Sequence, residues 1–228
     1  MKLLSFAACL TLALATAASA QTYEVNTAQF VPGVTSNSNT LVNEYMGQTF
    51  VAPGSSIVSL DQFTVYGGGV GSLQAFLYAW DDAATQPTGE AQWVSAPLVV
   101  NQPFAELSPF TFMAGVPLVS GQLYAVLLAR VNASDNVTLS RMVSLTGQVF
   151  PPYADGRMVR GQYAPNLAGD IDLATWEYVG PAAAGIDLAF TARFSTVPEP
   201  ATIGLVAMGL LAIGGATLRR RTRSGPAG

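Results

Sequence analysis

Acidic side chains are the residues of this sequence that could perform acid–base chemistry. Asp170 and Asp172 lie two positions apart in a stretch typical of a loop, and Glu177 follows them. Two carboxylates that face each other across a cleft can hydrolyse a glycoside. Acids of a solvated surface loop have the same spacing, and we adopt this second interpretation. The sequence therefore predicts no catalytic residue and no enzymatic activity, with a secreted carboxylate-dependent glycoside hydrolase as the alternative.

Two residue types restrict the metal chemistry of the chain. It has no histidine, and its one cysteine is Cys9. Catalysis by Ser-His-Asp or Cys-His groups is therefore excluded, as are zinc sites that use imidazole or thiolate ligands. A bound metal would need oxygen ligands, as calcium does. We expect no cofactor, and the open alternative is a structural calcium at Asp81 and Asp82 or at Asp170 and Asp172.

Aromatic side chains in loops are candidates for binding sugars, because their rings present a broad apolar face. Tyr153 and Trp176 lie beside prolines or loop acids and are the two candidates for a ligand-binding surface. Trp80 and Trp93 fall in strand-like runs and are expected in or near the core. Exopolysaccharide is therefore the ligand that the sequence suggests.

The charge of the chain excludes one class of partner. All fourteen acidic residues lie between residues 21 and 200, where the basic residues are five arginines and no lysine. Phosphate contacts need basic side chains, so this acidic segment is a poor binder of nucleic acid. We therefore expect no nucleic-acid partner.

The segment that must position these residues, 21–196, has the pattern of an all-β domain. Short runs of β-branched and aromatic residues alternate with Gly, Pro, Asn and Asp, which is typical of an antiparallel β-sandwich. Leu188, Phe190, Ala192 and Phe194 fall on one face of the last run, as expected for a strand with one face on a core. The predicted strands are Tyr23–Val31, Glu44–Val51, Val58–Tyr66, Ser72–Trp80, Ala91–Ser95, Phe104–Met113, Leu123–Val131, Val137–Val143, Arg157–Tyr163, Glu177–Val179 and Asp187–Phe194.

Two further features refine this fold. The run from Leu123 to Ala129 is apolar on both faces and is therefore expected in the centre of a sheet. Pairs and triplets of turn-forming residues predict where the chain reverses. The predicted reversals are at Pro53-Gly54, Gly67-Gly68-Gly69, Pro87-Thr88-Gly89, Ser120-Gly121 and Asp155-Gly156.

The first twenty residues have the pattern of a secretory signal peptide. Lys2 is followed by the apolar run Leu3–Leu14, which is too short to span a bilayer well. Ala18 and Ala20 provide the small residues that signal peptidase needs, so cleavage is expected before Gln21. Residues 1–20 therefore predict export through the secretion translocon.

The C-terminal segment, 197–223, combines a proline-rich motif, an uncharged run and a basic cluster. The motif is Val197, Pro198, Glu199 and Pro200. Ala201–Leu218 follows, and as a helix it would extend about 27 Å, close to the ~30 Å hydrocarbon core of a bilayer. The sequence predicts one transmembrane helix at 201–218, stopped on the cytoplasmic side by a basic tail at 219–223. The tail's basic residues are Arg219, Arg220, Arg221 and Arg223.

This order of motif, span and arginines resembles the PEP-CTERM sorting signal. The resemblance implies a Gram-negative bacterium, an exosortase that removes the tail near the motif, and a final position at the cell surface or in the extracellular matrix. A permanently membrane-anchored surface protein is the alternative. Parts of the domain also resemble the jelly-roll sandwich of exported PEP-CTERM proteins, which implies a fold and no catalytic residues. The matching segments are Gly47–Phe50, Pro53-Gly54, Leu60–Thr64, Ala75–Asp81, Leu118–Val126 and Asp187–Phe190.

Overall fold

The computed structural model describes residues 21–27, 36–41, 44–54, 57–103, 108–142, 153–163, 167–179 and 186–196. The predicted signal peptide, 1–20, and the predicted sorting segment, 197–223, lie outside these residues. The chain divides into two units, one formed by residues 22–195 and one by residues 1–21 and 196–228. No helix within the described ranges has the length and apolarity needed to cross a membrane.

The described part of the first unit is built almost entirely of antiparallel strands, which confirms the all-β prediction. One 3₁₀-helix, Ala168–Leu173, interrupts them. Strands β2 and β6 were not predicted, and the predicted last strand divides at Ala189 into β12 and β13. The strands are β1 (Thr22–Asn26), β2 (Ser36–Thr40), β3 (Tyr45–Val51), β4 (Ile57–Asp81), β5 (Gln86–Val94), β6 (Leu98–Gln102), β7 (Ser108–Val119), β8 (Leu123–Arg130), β9 (Asn136–Met142), β10 (Met158–Gln162), β11 (Thr175–Tyr178), β12 (Asp187–Leu188) and β13 (Phe190–Thr196).

The long strand β4 joins the parts of the sheet. Its first half pairs with β7 from Ile57 to Gly67, and its second half pairs with β8 from Leu73 to Ala79. The main path of the sheet runs β1-β13-β4-β8-β3-β10-β11. Because β4 takes part in both halves, the sheet curls around its own core and forms an antiparallel, jelly-roll-like sandwich.

The predicted reversal at Gly67-Gly68-Gly69 is wrong, because β4 continues through it. These glycines pair with β9 in register, Gly67 opposite Leu139 and Gly69 opposite Val137. A Cβ built on Gly67 would overlap the carbonyl oxygen of Thr138, so the strands approach more closely than a side chain would permit. The triplet therefore serves a close backbone approach between strands and not a turn.

The other predicted reversals have mixed outcomes. Gly54 and Gly121 adopt positive φ of 90° and 77°, and a turn also forms at 154–155, as expected. Pro87-Thr88-Gly89 instead lies inside β5, and the chain reverses at residues 82–85. Asp81 caps the turn at 82–85 through its side chain, so the reversal is complete before Pro87 and Gly89.

The central position predicted for β8 is confirmed, because it pairs with β3 on one side and β4 on the other. Its side chains alternate between two apolar clusters. Tyr124, Val126 and Leu128 belong to the main core, which contains most of the buried phenylalanines. Ala125, Leu127 and Ala129 face a second cluster on the opposite side of the sheet. That second cluster positions the candidate site.

Candidate ligand-binding surface

The second apolar cluster forms because the sheet curls back on itself. Strand β11 lies at the far end of the pairing path from β4. The ring of Trp176 in β11 nevertheless lies 6.0 Å from that of Trp80 in β4, edge to face at 84°. Trp176 also lies 6.0 Å from Tyr45 of β3. Strand β11 therefore covers the outer face of β3, β8 and β4 with an aromatic layer.

Small residues make room for these rings. Gly161 pairs with Trp176 in register, and a Cβ at Gly161 would lie 2.9 Å from the indole ring. Ala125 and Ala129 provide similarly small positions on β8. Alternation of small and large side chains across facing strands lets the two layers interdigitate at the density of a protein interior.

A polar group borders this aromatic layer at the surface. We call it the rim cluster, and it consists of Trp80, Asp82, Arg157 and Tyr178. Trp80 Nε1 donates to the hydroxyl of Tyr178 at 2.9 Å, and that hydroxyl donates to Oδ1 of Asp82. Arg157 Nη2 lies 3.3 Å from the same oxygen, and its guanidinium carbon lies 3.5 Å from the Tyr178 ring centroid. The four side chains therefore form one connected network.

The β4–β5 hairpin holds Asp82 in place. Oδ1 of Asp81 accepts hydrogen bonds from the backbone N–H groups of Ala83 and Ala84, at 2.9 and 3.0 Å. Thr85 closes the turn with φ of 54°, a conformation that β-branched residues rarely adopt. Strain of this kind persists only where neighbouring contacts enforce it. The hairpin tip, capped by Asp81, presents Asp82 at the surface.

The rim cluster is open to solvent and offers both hydrogen-bonding types. The side chain of Asp82 is 64% exposed and that of Arg157 is 36% exposed. Oδ2 of Asp82 and Nη1 of Arg157 have no hydrogen-bond partner in the described parts of the chain. An acceptor, a donor and an aromatic ring side by side are the groups with which proteins orient polar ligands such as sugars.

Two tyrosines next to acids remain protonated at neutral pH. Burial raises the pKa of Tyr178, and its hydrogen bond to Asp82 raises it further. Burial likewise raises the pKa of Tyr78, whose hydroxyl donates to Asp172. Both phenols therefore act as hydrogen-bond donors, and the acids that they contact act as acceptors.

The two predicted sugar-binding aromatics lie in different places. Trp176 is only 7% exposed, and its ring is packed among Gly161, Trp80 and Tyr45. Tyr153 is half-buried on the main core, with its ring 5.8 Å from Phe190. They occupy opposite sides of the sheet and do not form one surface. Arg157, whose guanidinium lies over the Tyr178 ring, was not singled out from the sequence.

The acids weighed for catalysis or calcium each contact a different partner. Asp172 accepts from Tyr78, Glu177 lies 2.5 Å from Nε of Arg160, and Asp82 belongs to the rim cluster. Asp81 caps the hairpin, and Asp170 lies in the 3₁₀-helix. No group of three or more metal-binding side chains occurs within the described residues.

A buried acid lies on the other side of the sheet, against the main core. Asp187 is 4% exposed and accepts hydrogen bonds from Gln48 Nε2 at 2.8 Å and from the backbone N–H of Tyr153 at 2.9 Å. Gln48 Oε1 in turn accepts from the N–H of Leu188. Burial raises the pKa of Asp187, although these two hydrogen bonds oppose the shift. The network fixes Tyr153 against the core.

Asp187 is expected to make stability depend on pH. Because its pKa is raised on folding, the folded state binds the proton more tightly, and the free energy of unfolding falls as pH rises from about 3.8 through the raised pKa. Asp187→Asn has no proton to bind at this position, so its stability lacks this dependence on pH. Its side-chain NH₂ must also face one of the two donors, Gln48 Nε2 or the Tyr153 N–H, which costs about 1–3 kcal/mol. Urea unfolding between pH 3 and 8 should therefore show the largest difference at low pH. If the free energies of unfolding of the unaltered chain and of Asp187→Asn changed with pH in parallel, the pH dependence would not come from Asp187.

The strand pairing and the two-sided core define the class of this protein, an all-β, antiparallel, jelly-roll-like domain. The chain carries the PEP-CTERM protein-sorting motif, whose model matches residues 196–221. The resemblance noted in the sequence is thus confirmed. The motif implies export, a surface or extracellular position, and recognition by exosortase.

The similarity to one solved structure supports the fold alone. The clostridial cysteine protease Cwp84 after propeptide cleavage is similar with a TM-score of 0.52 and 11% identity, over 78% of this chain and 40% of the protease chain. The cysteine protease and lectin-like domains of Cwp84 from Clostridium difficile give a TM-score of 0.48 and 10% identity, over 70% and 36% of the two chains. This chain thus spans less than half of these proteins. No curated protein matches the sequence.

Proposed function

We propose that this protein is a non-enzymatic surface or extracellular-matrix protein that binds polysaccharide through the rim cluster. In this proposal a signal peptide, residues 1–20, directs export, and a helix at 201–218 holds the chain in the membrane until exosortase removes the tail. The domain, 21–196, then stays at the cell surface or in the matrix. The sorting motif supports the destination, and the rim cluster supports the ligand.

The observation that carries the ligand class is the position of Asp82 and Arg157 beside the Tyr178 ring. Sugar hydroxyls both donate and accept hydrogen bonds, and sugar rings present apolar C–H faces to aromatic side chains. An exposed carboxylate and a guanidinium that lies over the Tyr178 ring match the first property, because they offer sugar hydroxyls an acceptor and a donor. The preformed network requires little ordering on binding, which favours affinity.

Asp82→Ala is expected to weaken polysaccharide binding by about tenfold, which corresponds to ~1.4 kcal/mol. The change removes an acceptor for the ligand and leaves Arg157 and Tyr178 without their shared partner. The measurement is retention of the full chain, in detergent, on immobilised exopolysaccharide. Glu24→Ala, which removes an exposed acid from β1, is the matched control and should bind as the unaltered chain does. Equal retention of both variants would contradict the assignment of the site.

Tail removal has a separate test. In cells with exosortase, the mass of the mature protein should correspond to a C-terminus near Pro198 to Pro200, without the four arginines that follow the span. An intact Arg219–Arg223 segment would refute processing and would leave the permanently anchored alternative.

A further inference from the structure

The end of the last strand coincides with the start of the sorting motif. Strand β13 ends at Thr196, and the motif match begins at the same residue. On the main path of the sheet β13 lies between β1 and β4, so hydrogen-bonding partners occupy both of its edges. The folded domain therefore continues up to the residue where the processing signal starts.

Contacts at three consecutive residues fix the end of β13. Phe194 is fully buried, with its ring 5.6 Å from that of Phe50 in the main core. Ser195 Oγ donates to Oδ1 of Asp61 in β4 at 3.0 Å. Thr196 N–H donates to the carbonyl of Gln21 at 2.8 Å, and Gln21 N–H donates to Thr196 Oγ1 at 2.8 Å. Side-chain burial, a side-chain hydrogen bond and backbone pairing thus act on consecutive residues.

A protease must extract a segment before cutting it, because the backbone groups that it binds must be available. In β13 these groups already pair with neighbouring strands, so cleavage there requires local unfolding. We propose that the β1–β13 pair sets the upstream limit of tail removal, so that peptide bonds up to Thr196 are protected and cutting is confined to the bonds after it. We call strand β1 the strap, because its pairing holds β13 in the sheet next to the start of the tail.

This inference rests on the proposed removal of the tail and adds the upstream limit of the cleavage, Thr196. Strand β1 begins at Thr22, one residue after the first residue that the predicted signal-peptidase cut leaves, Gln21, so removal of residues 1–20 leaves the strap complete. Removal of the tail after Thr196 likewise leaves β13 complete. Both maturation steps then spare the strand pair on which the protection depends.

The hydrogen-bond pattern of the pair provides matched variants. Thr27 N–H donates to the carbonyl of Phe190, and Thr196 N–H donates to that of Gln21. Because antiparallel pairs alternate along a strand, the N–H of Val25 points towards β13 and the N–H of Glu24 points away. Proline at position 25 therefore removes a hydrogen bond of the strap, whereas proline at position 24 removes none.

The test is limited digestion of the full chain in detergent by proteinase K, a protease of low specificity, with C-termini read by mass spectrometry. In the unaltered chain every fragment that contains β13 should end at Thr196 or later. Val25→Pro should produce ends within residues 190–195 at least ten times faster. Glu24→Pro should behave as the unaltered chain does, and Val25→Ala separates the lost hydrogen bond from the lost side-chain burial.

Two results would overturn the proposal: ends within residues 190–195 in the unaltered chain, or equal digestion of Val25→Pro and Glu24→Pro. If Val25→Pro loses the β-type circular dichroism of the domain, Ser195→Ala replaces it, since that change removes only the Asp61 contact and should accelerate cutting next to position 195. In cells, an intact tail would refute processing by exosortase. It would leave the protease result unchanged, so the two failures are distinguishable.

Discussion

Replacing Trp176 with alanine is expected to lower the free energy of unfolding by about 4 kcal/mol. The indole is 7% exposed and contacts the rings of Trp80 and Tyr45. Its removal leaves a cavity between β11 and the rings of Trp80 and Tyr45. Urea unfolding followed by circular dichroism measures the loss.

Trp93→Ala is the control for this change, because it removes the same side chain from a position that is only partly buried against the main core. We expect it to cost less than half as much. Trp176→Phe should retain most of the stability, since a ring still covers Gly161. Equal losses in both alanine variants would show that β11 does not hold the second cluster together.

The burial of Trp176 explains why its role could not be predicted from the sequence. Locally the residue stands in a short polar run, Thr175–Tyr178, beside a segment rich in acids. Its burial depends on the curl that brings β11 over Trp80, roughly a hundred residues away along the chain. The rim cluster depends on the same curl, because Asp82, Arg157 and Tyr178 come from three separate segments. Contacts of this range leave no pattern in a local stretch of sequence.

Features that depend on local pattern were predicted well. Strand β8 is apolar on both faces over consecutive residues, and this directly indicates a strand covered on both sides. The sorting motif is contiguous, so its residues and their order identified it without tertiary information. Turn residues were less informative, since glycine provides positive φ, close backbone approach, or both.

Gly67 distinguishes these two uses, and Gly67→Ala is expected to destabilise the domain by about 3 kcal/mol. The added methyl group would overlap the carbonyl of Thr138 and lie 3.1 Å from the Phe110 ring. The backbone of β9 cannot yield easily, because it pairs with β2 on its other edge. The strain therefore falls on the β4–β9 pairing, where β4 passes from one half of the sheet to the other.

Two glycine controls separate crowding from backbone conformation. Gly169→Ala adds a methyl group in open space at ordinary φ and should change the free energy of unfolding by less than ~0.5 kcal/mol. Gly115→Ala also meets nothing within 4 Å, but its φ is +65°, so it should cost about 1 kcal/mol through backbone strain alone. Thermal and urea unfolding should show the largest loss of stability for Gly67→Ala, a smaller loss for Gly115→Ala and the smallest for Gly169→Ala. If Gly67→Ala cost no more than Gly115→Ala, β4 and β9 would not approach each other as closely as the structure requires, and the glycine triplet would again be explained best as a turn.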